Sequence, residues 1–193
     1  MTLTDIRPVV AEAAAASAKA IAALPSDFPD KSYAWEHTDT HIPAPAVLRD
    51  VSNVHSPTPM SAPAGTSVVS TQQVVNLYRT TPNLVAVDSL TGDEPMKQTL
   101  PNALWIEGAG ISISSKNGMI ETNLANYLKA TVASKDTPIV SYCLDYECWL
   151  SWNTAMRLVS MGYKHVYWYR GGIEAWMQAQ LPTVKTVLSA QVY

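Results

Sequence analysis

The sequence predicts an α/β domain with a parallel sheet flanked by helices, preceded by a helix and a proline-rich extended arm. Three observations carry this. After Gly65, short β-branched runs alternate with segments of helical periodicity, the pattern of strands joined by crossover helices. The runs LVAVD and ALWI show no polar alternation, which suits strands covered on both faces. Prolines recur at 25, 29, 43, 45, 57, 59 and 63, removing backbone donors and excluding helix through that stretch. The expected organisation is a helix and arm over residues 1–65, the α/β domain over 66–183, and a C-terminal tail over 184–193.

Taken in order, the alanine-rich start predicts a helix over about residues 8–24. Glu12 and Lys19 interrupt any apolar stretch a secretory signal would need. That helix reads either as a surface element or as the remnant of an export segment trimmed to a new Met1. Localisation therefore stays open: periplasmic if an export signal has been removed, otherwise cytoplasmic. Thr66–Val69 reads as a strand, and Ser70 followed by Gln73 is a capping box opening a helix with Val74, Val75, Leu77 and Tyr78 on one face. Leu84–Asp88 and Ala103–Ile106 are the next strands, joined by a polar loop carrying Gly92 and Pro95. Leu124, Tyr127, Leu128 and Val132 repeat at helical spacing, and Pro138 delivers the chain into the strand Ile139–Tyr142. Trp152, Ala155, Met156 and Val159 describe a helix stopped at Gly162; His165–Tyr169 is a strand and Ile173–Ala179 a closing helix.

Composition narrows the function. The 193 residues carry 16 acidic and 13 basic side chains, a net charge of −3, so no broad cationic surface awaits a nucleic acid. No apolar run reaches the about 18 residues of a membrane-spanning helix. Two cysteines allow at most one disulfide, and Cys143 and Cys148 are close enough in sequence to be one local chemical feature.

Cys143 falls where a buried parallel strand turns into a helix. That junction offers a crevice at the carboxyl edge of the sheet and the unpaired N–H groups of the helix's first turn, which favour a thiolate. Burial as a small hydrophobe is the alternative for a cysteine at a strand end. Cys148 admits two readings: a resolving thiol that attacks a persulfide or sulfenate on Cys143, or packing beneath Trp149. Zinc held by the pair with His37, His41 or His55 lacks a second close-spaced ligand pair, so no metal and no other cofactor is expected. Asp145 and Glu147 flank the loop with negative charge that opposes the helix dipole. Leu144, Tyr146 and Trp149 are candidates for a pocket wall, while Trp168 and Trp176 read as core. Arg170, just past the last strand, is a candidate for the positive charge the loop lacks, or a solvent-facing side chain. Asp88 ends a neighbouring strand, where it would orient a loop, bind Arg170 or start a turn.

The string SYCLDYECWLSWNTAMRLVSMGYKHVYWYRGGIEAW resembles the second half of a rhodanese-like domain, with Gly162-Tyr163, Gly171-Gly172 and Trp176 in order. LVAVDSL resembles the strand that bears Asp-Val-Arg in that family and LPNALWI its following strand, so the resemblance spans about residues 66–182. It implies a rhodanese-like parallel sheet and a sulfurtransferase in which Cys143 takes up sulfane sulfur from a small sulfur-containing donor as a persulfide and passes it to a thiol acceptor. CWLSWN, VYWYRGG and HIPAPAV are similar to the rhodanese-like proteins named for a CXXCW motif and associated with pyrroloquinoline-quinone-dependent (PQQ) catabolism. That similarity implies export and a quinoprotein dehydrogenase or cytochrome partner. The chain departs from both patterns: four residues separate its cysteines, and its loop has Tyr146, Cys148 and Trp149 in place of the glycine, arginine and hydroxyl residue of an ordinary rhodanese. The rival readings are a non-catalytic redox-sensing or docking protein, and a phosphatase or arsenate-type reductase. The missing loop arginine opposes the last, because phosphoryl transfer needs bidentate cationic stabilisation.

Overall fold

The computed structural model describes residues 3–92, 94–132 and 134–193, with side chains from Ala11 onward; Met1 and Thr2, part of the N-terminal expectation, lie outside it. Helix α1 (Leu3–Ala22) is followed by the arm, which holds a 3-10 turn at Val51–Asn53 that Asp50 caps through Ser52 N–H and an isolated β-bridge at His55. Strand β1 (Ser67–Val69) leads into α2 (Thr71–Thr80), whose Ser70–Gln73 capping box is fully formed. Then come β2 (Val85–Asp88), β3 (Met96–Thr99), β4 (Ala103–Glu107), α3 (Asn117–Thr131), β5 (Ile139–Tyr142), α4 (Trp149–Ser160), β6 (Val166–Tyr169), α5 (Gly172–Gln178), β7 (Val184–Val187) and β8 (Ala190–Gln191).

Six strands form one sheet in the order β1-β6-β5-β2-β4-β8, and each neighbouring pair is parallel. The predicted α/β architecture is thus observed. β5 lies in the middle, with Asp88 opposite Tyr142 and Tyr142 opposite Tyr169, so the ends of β2, β5 and β6 reach the carboxyl edge at one level. One face of the sheet packs Val74, Val75, Tyr78, Val140, Tyr142 and Trp176 together; the other packs Val87, Ile120, Leu124, Ile139, Trp152 and Trp168. Each of the aliphatic side chains, fully withdrawn from water, contributes about 1.5–3 kcal/mol of transfer free energy.

Two expectations need correction. The segment between β2 and β4, read as a polar loop, contains β3, and the expected tail contains β7 and β8. β3 and β7 pair antiparallel with Thr99 opposite Val184, and β8 extends the main sheet beside β4. β3 and β8 have no sequence period of their own. MKQT is buried mainly at Thr99, whose hydroxyl meets Thr186 at 2.8 Å and donates to the Val184 carbonyl, so its strand state depends on a partner about 85 residues away.

Candidate functional site

Every residue of β5 is buried, and Cys143 is the first residue beyond the strand. The next two carbonyls are fixed from the other side of the loop: Ile173 N–H donates to Cys143 O and Glu174 N–H to Leu144 O, both at 3.0 Å. These amides belong to the first turn of α5 and lack partners within that helix, so helix and loop satisfy each other. The approach requires glycine at 172. Its φ is +62°, and a Cβ there would collide with the carbonyl groups of Leu144 and Cys143. The loop then turns on Asp145, whose side chain accepts from Glu147 N–H at 2.9 Å and whose carbonyl accepts from Cys148 N–H at 3.2 Å. Cys148 is the N-cap of α4.

Cys143 and Cys148 are joined by a disulfide, with Cα atoms 6.2 Å apart. Their exposures are 1% and 5%, and Leu150, Val54, Leu90, Ile111 and Leu144 surround them. The cover is the arm. Trp149 N–H donates to Val54 O at 2.9 Å, Ser56 N–H to Glu147 O at 2.8 Å and Thr58 N–H to Tyr146 O at 3.1 Å, with His55 bridging Cys148 in antiparallel fashion. The Thr58 hydroxyl donates to the same Tyr146 carbonyl.

Here the structure departs from the sequence reading in several places. The first amide of α4, expected to face the sulfur, is instead held by the arm's Val54 carbonyl. Trp149 is not an open pocket wall. It is 2% exposed, packs edge-on against Trp152 with ring centroids 5.5 Å apart, and donates its indole N–H to Ser56 Oγ. Arg49 stacks on its other side. Arg170 faces neither solvent nor the sulfur: it is 1% exposed and donates to Thr58 Oγ1, Thr58 O, Glu36 O and Thr38 O at 2.8–3.0 Å. It lies 5.3 Å from the Tyr146 ring centre, so it fastens the arm and braces the loop. Burial pulls the guanidinium pKa down, and Tyr146, Asp39 and Glu36 oppose that pull.

Asp88 does not pair with Arg170. Its carboxylate accepts from Lys97 Nζ, Tyr142 OH and Leu90 N–H, each at 2.9 Å, and is 1% exposed. Burial raises the Asp88 pKa, with Lys97 opposing, and burial lowers that of Lys97, with Asp88 opposing. The buried hydroxyl of Tyr142 is pushed well above its ordinary value by desolvation, reinforced by Asp88. This network orients the β2–β3 loop, whose Leu90 packs against the cluster of Cys143, Cys148 and Leu150.

Leu144, Asp145, Tyr146 and Glu147 are half-buried on the loop. Leu144 also lines a groove of about 360 Å³ with Trp35, Ile173, Glu174 and Met177, on the α5 side of the loop. Sequence reasoning did not find Lys97, Glu36, Ser56 or Thr58, which reach the site only through contacts distant in sequence. Glu36 is buried across the end of α2, accepting from Thr71 N–H and Thr71 Oγ1 at 2.9 Å. No helix in the described residues is long and apolar enough to cross a membrane, and no group of three or more His, Cys, Asp or Glu there is arranged to hold a metal ion.

Among solved structures the chain is similar to the 30 kDa polysulfide-sulfur transferase homodimer from Wolinella succinogenes, at 16% identity over 62% of this chain and 79% of that one, with a TM-score of 0.44. It is similar also to a full-length protein from Lactobacillus plantarum, at 17% identity over 63% and 88%, with a TM-score of 0.45. None of the curated proteins compared with it matches in sequence. The Rhodanese-like domain matches residues 71–179, more than half of the chain and the whole run from α2 to α5. The chain therefore belongs to the rhodanese-like family.

Proposed function

We propose that this protein is a sulfurtransferase-type member of its family that works through a covalent sulfur intermediate on Cys143, resolved by Cys148. The observation that carries the reading is the cysteine pair itself, placed at the carboxyl end of the central parallel strand and already bonded within the loop that precedes α4. In the reduced protein the Cys143 thiolate attacks the sulfane sulfur of a small donor, expels the rest of the donor with its electron pair, and carries the sulfur as a persulfide. Either an acceptor thiolate takes the outer sulfur and leaves Cys143 as thiolate, or Cys148 attacks Cys143 Sγ, expels hydrosulfide and forms the observed disulfide. A dithiol then restores both thiols and becomes a disulfide itself.

A second reading, thiol redox sensing without turnover, is favoured by one feature: the α4 amide that would steady a sulfur anion is bonded to Val54 O. Assignment to the narrower PQQ-associated CXXCW group, with a quinoprotein dehydrogenase or cytochrome partner, is part of the proposal and rests on CWLSWN, VYWYRGG and HIPAPAV. The roles assigned to Leu144, Asp145, Tyr146 and Glu147 as a donor-facing loop belong to it too.

The test is intact mass after reduction, removal of the reductant, and incubation with thiosulfate, mercaptopyruvate or polysulfide. The expected result is a gain of one sulfur atom that Cys143→Ser abolishes and Cys148→Ser makes accumulate. No gain with any donor refutes sulfur transfer and leaves the sensing reading.

A further inference from the structure

We propose that residues 54–58 form a redox-linked strap that closes over the cysteine pair while it is disulfide-bonded and lifts when the pair is reduced. The inference rests on the functional reading above only in taking the pair as redox-active. The strap is fastened at both ends. On one side Arg49 exchanges hydrogen bonds with the Asn153 side chain, N–H to Oδ1 and Nδ2 to O, each at 2.8 Å, and Val51 N–H donates to Ser112 O. On the other, Thr58 is gripped by Arg170. Between these anchors the chain is one layer thick, with His55 and Pro57 exposed and Val54 and Ser56 half-buried.

What it grips is the segment that the disulfide closes into a ring. The strap bonds to Tyr146 O, Glu147 O and Trp149 N, and His55 pairs with Cys148 itself. These groups are held in register by the Asp145 turn and by the disulfide that ties Cys148 to Cys143 five residues earlier. A dithiol reductant breaks that tie. One of its thiolates attacks a cysteine sulfur, its second thiol resolves the mixed disulfide, and both cysteines become thiols while the reductant becomes a disulfide. The loop then regains torsional freedom, and the register that the strap requires is left to the Asp145 turn alone. Lifting uncovers Cys143 and frees the Trp149 amide for an anion on sulfur. Linkage makes the coupling reciprocal: a strap that prefers the oxidised loop also protects the disulfide from reduction.

The experiment is amide hydrogen exchange of the full chain, oxidised and dithiol-reduced, read at Ser56, Thr58 and Trp149. Exchange at these amides is expected to quicken by about tenfold or more on reduction, and a Cys143→Ser/Cys148→Ser variant is expected to exchange fast whether or not a dithiol is present. Thr58→Val, which removes the hydroxyl shared by Arg170 and Tyr146 O, is expected to have its disulfide reduced several-fold faster than the parent's. If Thr58→Val does not keep its near-ultraviolet circular dichroism, Ser56→Ala, which loses only the bond from the Trp149 indole, carries the same comparison. Equal exchange in the two redox states overturns the strap. Faster exchange on reduction in a chain that takes up no sulfur upholds the strap and refutes sulfur transfer, so the two readings fail separately.

Discussion

Reducing the disulfide has a cost that follows from the size of the ring it closes. Cys143 and Cys148 are five positions apart, so the crosslink restricts a short loop of the unfolded chain. The chain-entropy relation for a ring of that size gives about 2 kcal/mol of stabilisation at 25 °C. For a protein of 193 residues that corresponds to a fall of about 4–8 °C in Tm. The assay is thermal unfolding at pH 7 with and without a dithiol, together with thiol titration, which is expected to find no free thiol before reduction. Cys148→Ala is expected to melt near the reduced parent and to be indifferent to the dithiol, since no crosslink remains. Identical melting of parent with and without reductant, with both thiols shown to be titratable after reduction, would refute the reasoning.

Other outcomes follow from the same contacts. Gly172→Ala forces a Cβ against the Cys143 and Leu144 carbonyls in a left-handed backbone and is expected to destabilise by about 2 kcal/mol or more, read by urea unfolding. Arg170→Met leaves the Glu36 and Thr38 carbonyls without their donor and Thr58 O with the Thr40 hydroxyl alone; a loss of about 3 kcal/mol is expected, with faster proteolytic cutting between residues 37 and 60. Burial holds Glu36 above its ordinary 4.5, with the Thr71 and Tyr33 bonds and nearby His37 opposing. The folded chain therefore keeps that proton to higher pH than the unfolded chain. Stability linked to Glu36 is present below 4.5 and falls as pH rises through the raised value. Glu36→Gln is expected to flatten the Tm profile above pH 4.5, leaving the similar slope contributed by Asp88; an unchanged slope would show that Glu36 does not titrate there.

The sequence by itself determined the parallel α/β sheet, most of its elements and the placement of Cys143 at a strand's carboxyl end. These depend on local chemistry: runs without polar alternation at β2 and β4, a capping box at Ser70, and helix stops at Gly162 and before Pro182. Gly171-Gly172 was visible as a motif, but the close approach that demands Gly172 became apparent only with the Cys143 and Leu144 carbonyls in place. Tertiary structure alone decided what surrounds the sulfur. Whether Arg170 faces a ligand or an arm, whether Asp88 meets Arg170 or Lys97, and whether the first amide of α4 is free depend on groups far apart in the chain. Proline excludes helix from the arm, yet it does not say which surface the arm covers. That surface is chosen where Val54, Ser56 and Thr58 satisfy loop amides and carbonyls that would otherwise be buried unpaired, a condition no local pattern encodes.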